Sequence, residues 1–217
     1  MSELTKREII AKRVAKELHD GEVVNLGIGI PTLVSQYLPE NINVLLQSEN
    51  GFIGICPLNG IKVPDLVDAS ARPVGIIPGG SVFDSVMSLA LIRGGHVDVT
   101  VLGGLQVDQE GNLANWMVPG GKTAGMGGAM DLVTGSKKVI IAMEHTAKDG
   151  SSKIVKRCTL PLTGSHVVST IVTELAVFSV TDQGLLLEEL QDGVDLKTVL
   201  VNTDAEFIVS KSLTHCV

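Results

Sequence analysis

The run Gln47-Ser48-Glu49-Asn50-Gly51 places a carboxylate directly after a short apolar stretch, Val44-Leu45-Leu46. A carboxylate at the tip of a strand, followed by an Asn-Gly turn, is held above a sheet edge. In open α/β sheets that is where ligands bind. There Glu49 can act as a nucleophile that takes an acyl group, or as a base. Taken alone, the run reads better as a solvated turn acid, so its company decides. Asn25 ends the strand-like run Glu22-Val-Val-Asn-Leu26. It can present its amide to a carboxyl or thioester oxygen, although in isolation it reads as a satisfied strand-end Asn. Gly125-Met-Gly-Gly-Ala-Met-Asp131 offers adjacent glycines whose bare backbone amides can converge on one point, as an oxyanion hole requires. Met126, Ala129 and Met130 are apolar and ill suited to a solvated turn, which favours a ligand loop.

Other motifs narrow the chemistry. Gly27-Ile-Gly-Ile-Pro31 follows a strand and opens a helix, so its N–H groups can meet a phosphate or carboxylate. It lacks the third glycine and the later acidic residue of a dinucleotide fingerprint, which argues against a nicotinamide cofactor. It reads equally as a tight strand-helix turn. His96, His145 and His166 form no metal-ligand pattern, and Glu144-His145 falls short of a zinc signature. No Ser or Cys sits in a nucleophile elbow, and no Gly-Lys-Ser/Thr phosphate loop is present. Trp116, the single Trp, is expected to pack in the core or at an interface.

The elements that must hold Glu49 follow from periodicity. Thr5–His19 has an apolar stripe of Ile9, Ile10, Val14 and Leu18 and reads as a helix stopped by Asp20-Gly21. Strands are expected over 22–26, 43–47, 74–77, 96–102, 105–108, 112–116 and 138–143, with a pair over 171–180 and 185–190. Helices are expected from Pro31 to Leu38, over 83–93, at 129–133 and over 195–201. Gly54 to Arg72 is rich in Pro, Gly, Asn and Asp and reads as irregular, and Gly120 to Gly128 reads as a loop. Strands alternating with helices predict an α/β fold with a mostly parallel central sheet and antiparallel additions, in one domain.

Composition agrees. The chain has 217 residues, 44% hydrophobic and only 3% aromatic, so the core must rest on Val, Ile, Leu and Ala, as buried parallel strands do. Net charge is −7 and no Lys/Arg run forms a patch, which argues against nucleic acid or an anionic membrane as partners. Cys56, Cys158 and Cys216 are odd in number and widely spaced, consistent with free thiols in a reducing cytoplasm. The absence of an apolar leader or spanning run predicts a soluble cytoplasmic chain.

Five ordered motifs carry a resemblance. Gln47-Ser-Glu-Asn-Gly51, Arg93-Gly-Gly-His-Val-Asp98, Leu102-Gly-Gly-Leu-Gln-Val-Asp108, Gly111-Asn-Leu-Ala-Asn-Trp116 and Gly127-Gly-Ala-Met-Asp-Leu-Val133 are similar to the β (B) subunit of family I CoA-transferases. The resemblance runs from the first helix to about Val180, and covers residues 1–217 as one β-subunit domain. It implies a three-layer α/β fold with helices on both faces of the sheet, shared with some sugar-phosphate isomerases. It implies a cognate α (A) subunit in an α2β2 heterotetramer, acyl-CoA and a short-chain carboxylic acid as substrates, coenzyme A as substrate with no permanently bound cofactor, and no metal. It assigns Glu49 as the catalytic glutamate, Asn25 beside it, and Gly127, Gly128, Ala129 and Met130 against the CoA thioester. Before the glycine loop the chain reads Pro119-Gly-Gly-Lys-Thr-Ala, where the family more often has P-G-K and larger apolar residues. Acetate, acetoacetate and butyrate are the expected acids. The alternatives are 3-oxoadipate or succinate transfer, which need a cation for a second carboxylate, and isomerase or ligand-sensing roles on the same fold.

Overall fold

Thr5 caps the first helix, α1 (Lys6–Ala15), by accepting from the Glu8 N–H, and the Glu8 carboxylate reaches back to the Thr5 N–H at 2.8 Å. Caps of this kind contribute about 0.5–2 kcal/mol. Ile10, Val14 and, just past the helix end, Leu18 turn one face to the sheet and are 1% exposed or less. The expected continuation to His19 stops at Ala15, where Lys16 N–H bonds Arg13 O and the chain tightens into turns. The computed structural model describes residues 4–58, 66–121, 125 and 127–216.

The strands in chain order are β1 (Val23–Leu26), β2 (Leu45–Ser48), β3 (Phe52–Pro57), β4 (Val74–Val82), β5 (Val99–Leu102), β6 (Gln106–Asp108) and β7 (Leu113–Ala114). They continue as β8 (Lys138–Ala142), β9 (Ile154–Val155), β10 (Thr170–Val172), β11 (Ala176–Thr181), β12 (Gly184–Leu190) and β13 (Phe207–His215). One ten-stranded sheet has the order β13-β12-β11-β10-β8-β5-β1-β2-β3-β4. Its centre, β10-β8-β5-β1-β2, is parallel. β3 and β4 close one side as antiparallel neighbours, and β11 and β12 do so on the other, with β13 parallel to β12. β7, β6 and β9 make a separate small sheet.

Alternation along the strands builds three layers. Val24, Val99, Val101, Ile140, Ala142 and Val172 pack with α1 and with the 3-10 helix Ile30–Gln36, in which Pro31 occupies the first turn. Leu102, Val139, Ile141, Ile171 and Phe178 face the other way. They pack with α2 (Ser85–Arg93) through Ile92, α3 (Ala129–Gly135) through Leu132 and Val133, and α4 (Leu196–Asn202) through Val199. The expected three-layer α/β fold with helices on both faces is the one observed.

Several local expectations change. The stretch read as irregular, Gly54 to Arg72, begins inside β3 and takes in its last four residues, and β4 runs on to Val82. Their Gly and Pro residues resemble loop chemistry, and only the pairing of β3 with β2 and of β4 with β3 makes them strands. The expected strand over 171–180 is two antiparallel strands that reverse around Thr173, whose hydroxyl caps the turn by accepting from the Leu175 and Ala176 N–H groups. Among the described residues, no helix is long and apolar enough to cross a membrane.

The chain steps from β1 to β2 on one side, then returns with β5 on the other side of β1. That reversal opens a crevice beyond the C-terminal ends of these strands, the usual ligand position in open α/β sheets.

Candidate active site

Glu49 stands at the tip of the β2–β3 hairpin, over this crevice. The turn is closed by Gly51 N–H on Ser48 O at 3.0 Å, and Phe83 N–H bonds Gly51 O at 2.9 Å. Gly51 has φ +128°, and a Cβ there would lie 2.1 Å from the Phe83 carbonyl oxygen, so only glycine fits. Side chains on both flanks of Glu49 brace the turn. Ser48 Oγ donates to Asn50 Oδ1 at 2.7 Å and accepts from Ala69 N–H at 2.9 Å, while Asn50 Nδ2 donates to Val67 O at 2.8 Å.

Glu49 is half-buried and accepts from Asn25 Nδ2 at 3.2 Å. Asn25 sits on β1, beside Gln47 of β2 and Thr100 of β5 in the sheet register. These three polar side chains form a buried row across the face that α2 covers; Asn25 is 1% exposed, Gln47 3% and Thr100 0%. Asn25 Nδ2 also donates to Gln47 Oε1 at 2.7 Å, and Gln47 Nε2 donates to Ser88 Oγ of α2 at 3.1 Å. Asn25 Oδ1 and Thr100 Oγ1 are buried with no hydrogen-bond partner among the described residues. A buried unpartnered acceptor costs about 1–3 kcal/mol. Here that cost accompanies an amide whose donor end is turned to Glu49.

Gly128, the N-cap of α3, closes the site from the opposite layer. A Cβ on it would fall 3.0 Å from Glu49 Cγ. Asn25, Glu49, Gly127, Gly128 and Ala129 all border one cavity of about 800 Å³. Met130 is not among its walls; its carbonyl accepts from Thr134 Oγ within α3. Met126 and the segment 122–124 lie outside the described residues. Gly27 and Gly103-Gly104, at the ends of β1 and β5, complete the crevice floor.

Sequence reasoning missed other wall residues. Trp116, expected in the core or at an interface, borders the cavity and donates its Nε1–H to Leu162 O at 3.2 Å. Arg72 is the one Lys or Arg among the described cavity walls. It gives Nε and Nη2 to Asp68 Oδ2 at 3.0 and 2.7 Å. Asp68 in turn accepts from the Ser70 and Arg72 N–H groups and holds a turn in which Ala71 has φ +59°. The Gly-, Pro- and Asp-rich composition marked a loop there but gave no sign of which side of it faces the site. The three cysteines are unpaired. Cys56 borders the cavity, while burial, with Asp108 and Glu189 alongside, pushes the Cys158 and Cys216 thiols up to about 12. Among the described residues, no three His, Cys, Asp or Glu side chains converge as a metal set.

Comparison with known proteins agrees with this geometry. Residues 7–202 match the family model described as Coenzyme A transferase. The chain is 61% identical over 207 residues to the beta subunit of the acetate CoA-transferase of Escherichia coli K12, covering 95% of each. It is 49% identical over 217 residues to the B-type subunit of a probable succinyl-CoA:3-ketoacid coenzyme A transferase of Bacillus subtilis, covering 99% of this chain and 100% of that one. Among solved structures, the acyl-CoA transferase YdiF of E. coli O157:H7, in its thioester complex with CoA, superposes with a TM-score of 0.75 at 25% identity. All of this chain is covered, against 44% of YdiF. A ten-stranded sheet whose switch point carries Glu49, and relatives matched almost end to end, lead to one conclusion: the chain belongs to the coenzyme A transferase family.

Proposed function

We propose that this chain is the β subunit of a short-chain acyl-CoA:carboxylate CoA-transferase, that Glu49 is its reacting carboxylate, and that it works with a cognate α subunit in an α2β2 assembly. The observation that carries the reading is the placement of Glu49 at the cavity's edge, between a fixed amide donor and a bare glycine. The β-subunit relatives and the CoA thioester complex of YdiF support it.

The Glu49 carboxylate attacks the thioester carbonyl of an acyl-CoA. The C–S bond breaks, CoA leaves as thiolate, and Glu49 carries a mixed anhydride. The thiolate then attacks the glutamyl carbonyl, forming an enzyme–CoA thioester and releasing the first acid as carboxylate. An acceptor carboxylate runs the same steps in reverse and departs as the new acyl-CoA. One thioester is exchanged for another, so the exchange draws on no ATP.

A carboxylate is a weak nucleophile, and the residues around it must supply the rate. Orientation of bound groups can lower such barriers by up to about 7–11 kcal/mol. The Ser48 and Asn50 braces fix the turn, and Gly128 limits the carboxylate's excursions. Asn25 Nδ2 meets the oxygen on which charge develops when the glutamyl carbonyl is attacked; one such donor is worth about 10²–10³ in rate in other acyl-transfer enzymes. The backbone amides of Gly127, Gly128 and Ala129 face the thioester.

The acid is a monocarboxylate or 3-oxo acid of short chain: acetate, butyrate or acetoacetate. A dicarboxylate needs a free cation, which the α subunit could supply; among the described cavity walls Arg72 is the one cation, and it is paired with Asp68 at 2.7 Å. The same pairing disfavours a sugar phosphate. The test is intact mass spectrometry of the α/β complex after acetoacetyl-CoA and acid quench. A gain of one CoA on the peptide holding Glu49, absent in Glu49→Gln, is expected. Turnover by Glu49→Gln at the normal rate would end this reading.

A further inference from the structure

We infer that Gln47 and Ser88 are positioning residues for this reaction, holding the Asn25 amide in place against Glu49. The inference rests on Glu49 being the reacting carboxylate.

A primary amide has nearly the same shape when turned over, but its donor and acceptor ends exchange. Turned over, Asn25 would aim Oδ1 at a carboxylate oxygen and repel it. The surroundings forbid that state. Three acceptors gather round Asn25 Nδ2: Glu49 Oε2 at 3.2 Å, Gln47 Oε1 at 2.7 Å and the Gln47 carbonyl at 3.4 Å. None of the described donors reaches Oδ1.

The shortest of these contacts depends on Gln47. Ser88 anchors that side chain by accepting from Gln47 Nε2 at 3.1 Å. Ser88 is 0% exposed and does not border the cavity, so it cannot touch the substrate. The line Ser88–Gln47–Asn25–Glu49 therefore runs from inside α2 to the reacting atom, through three buried side chains to a half-buried carboxylate. Loss of the Ser88 hydroxyl would leave a buried amide donor unpartnered, and Gln47 would turn or shift to relieve it. Asn25 would then lose its strongest constraint.

The consequence falls on kcat. Once Glu49 is acylated its carbonyl is neutral, and the amide meets it more strongly as thiolate attack builds negative charge on the glutamyl oxygen; interactions stronger in the transition state than in the intermediate before it raise kcat while leaving KM alone.

The experiment uses the assembled α/β enzyme, with Ser88→Ala, Ser88→Cys and Gln47→Glu compared with the unaltered enzyme and Glu49→Gln. Readouts are kcat, KM, the single-turnover rate of enzyme–CoA thioester formation, and thermal midpoint. Ser88→Ala is expected to slow thioester formation about 10-fold with KM for acyl-CoA nearly unchanged, and Ser88→Cys to recover part of the loss through its weak acceptor. Gln47→Glu keeps the acceptor toward Asn25 but adds a buried carboxylate near Glu49, so the acid limb of the pH–rate profile should move to higher pH. A Ser88→Ala enzyme that melts earlier but forms thioester at the normal rate would overturn the inference. Should Ser88→Ala fail to assemble, an unshifted pH profile in Gln47→Glu would do the same. Retained turnover in Glu49→Gln would instead refute the underlying assignment of Glu49.

Discussion

Gly128 and Glu49 meet with no space for a side chain between them: a Cβ on Gly128 would lie 3.0 Å from Glu49 Cγ and 3.4 Å from its Cβ. One residue caps α3 and the other tips the β2–β3 hairpin, so two layers of the fold converge on a single carboxylate. Gly128 has φ −84°, which alanine adopts without strain. Gly128→Ala should therefore fold normally yet push Glu49 or its own loop by a few tenths of an ångström. Misplacement of a reacting group is costly, and a fall in kcat of about 10–100-fold is expected. Steady-state kinetics beside a melting curve check this. An unchanged kcat would show that the loop yields freely and does not position the carboxylate.

Asn25→Asp tests the other neighbour. It replaces an amide donor 3.2 Å from Glu49 with a second carboxylate. Two carboxylates at that distance cannot both ionise readily, so the pair retains a proton toward neutral pH. The acid limb of the rate profile should move upward, and kcat at neutral pH should fall about 10²–10³-fold. Asn25→Ala removes only the donor; it should lower kcat without that shift in pH dependence. A pH–rate series on the three proteins separates loss of a donor from gain of a charge.

The sequence disclosed what local chemistry controls. The stripe of Ile10, Val14 and Leu18 announced the first helix, and Asn50-Gly51 announced the turn that lifts Glu49. The β-branched run of β5 announced a buried strand, and its four residues are all buried. Elements that depend on distant pairing stayed hidden. β13 shows no two-residue alternation, because it is an edge strand with one partner and mostly exposed side chains. The Thr100–Asn25–Gln47 row was equally hidden. Each residue looks like an isolated polar side chain in its own strand, and only the register of three strands brings them side by side. Ser88 reads as an ordinary helix residue until α2 is laid over Gln47.

Away from the site, Arg13 joins α1 to the far part of the sheet. It is nearly buried and grips Glu189 with two nitrogens, at 2.7 and 2.9 Å, and Glu17 with the third at 2.8 Å. Burial opposes its charge, but Glu189 and Glu17 outweigh burial and raise its pKa above the ordinary arginine value. Glu17 also holds Lys138 at 2.6 Å. Arg13→Met keeps much of the volume but leaves Glu189 facing an apolar side chain. A loss of about 3 kcal/mol in urea unfolding is expected. Adding Glu189→Leu should recover most of it, since a buried pair replaced by apolar groups is often neutral. If the double variant is no more stable than Arg13→Met, the cost lies in packing rather than in a stranded charge.

His145 sets a second, pH-dependent limit on stability. Its ring is fully buried between the hydroxyls of Thr173 and Thr203, each 3.0 Å from a ring nitrogen, and so ties α4 to the end of β8. Burial lowers its pKa to about 4; Glu174 works against that shift, and Lys153 and Lys6 add to it. The unfolded chain takes up this proton near pH 6.5, whereas the folded chain resists until about pH 4. Above pH 6.5 neither state is protonated and the contribution is whole. As pH falls between these values, unfolding binds a proton, and stability should drop by about 3 kcal/mol in total from this group alone. Carboxylates held low by ion pairs, such as Glu17, add their own losses at lower pH. A difference measurement isolates the histidine. His145→Gln removes the titration, so the stability gap between it and the unaltered chain should narrow as pH falls from 6.5 to 4. A gap that stays constant across that range would mean that the ring accepts its proton in the folded state, with the two threonine hydroxyls serving as its acceptors.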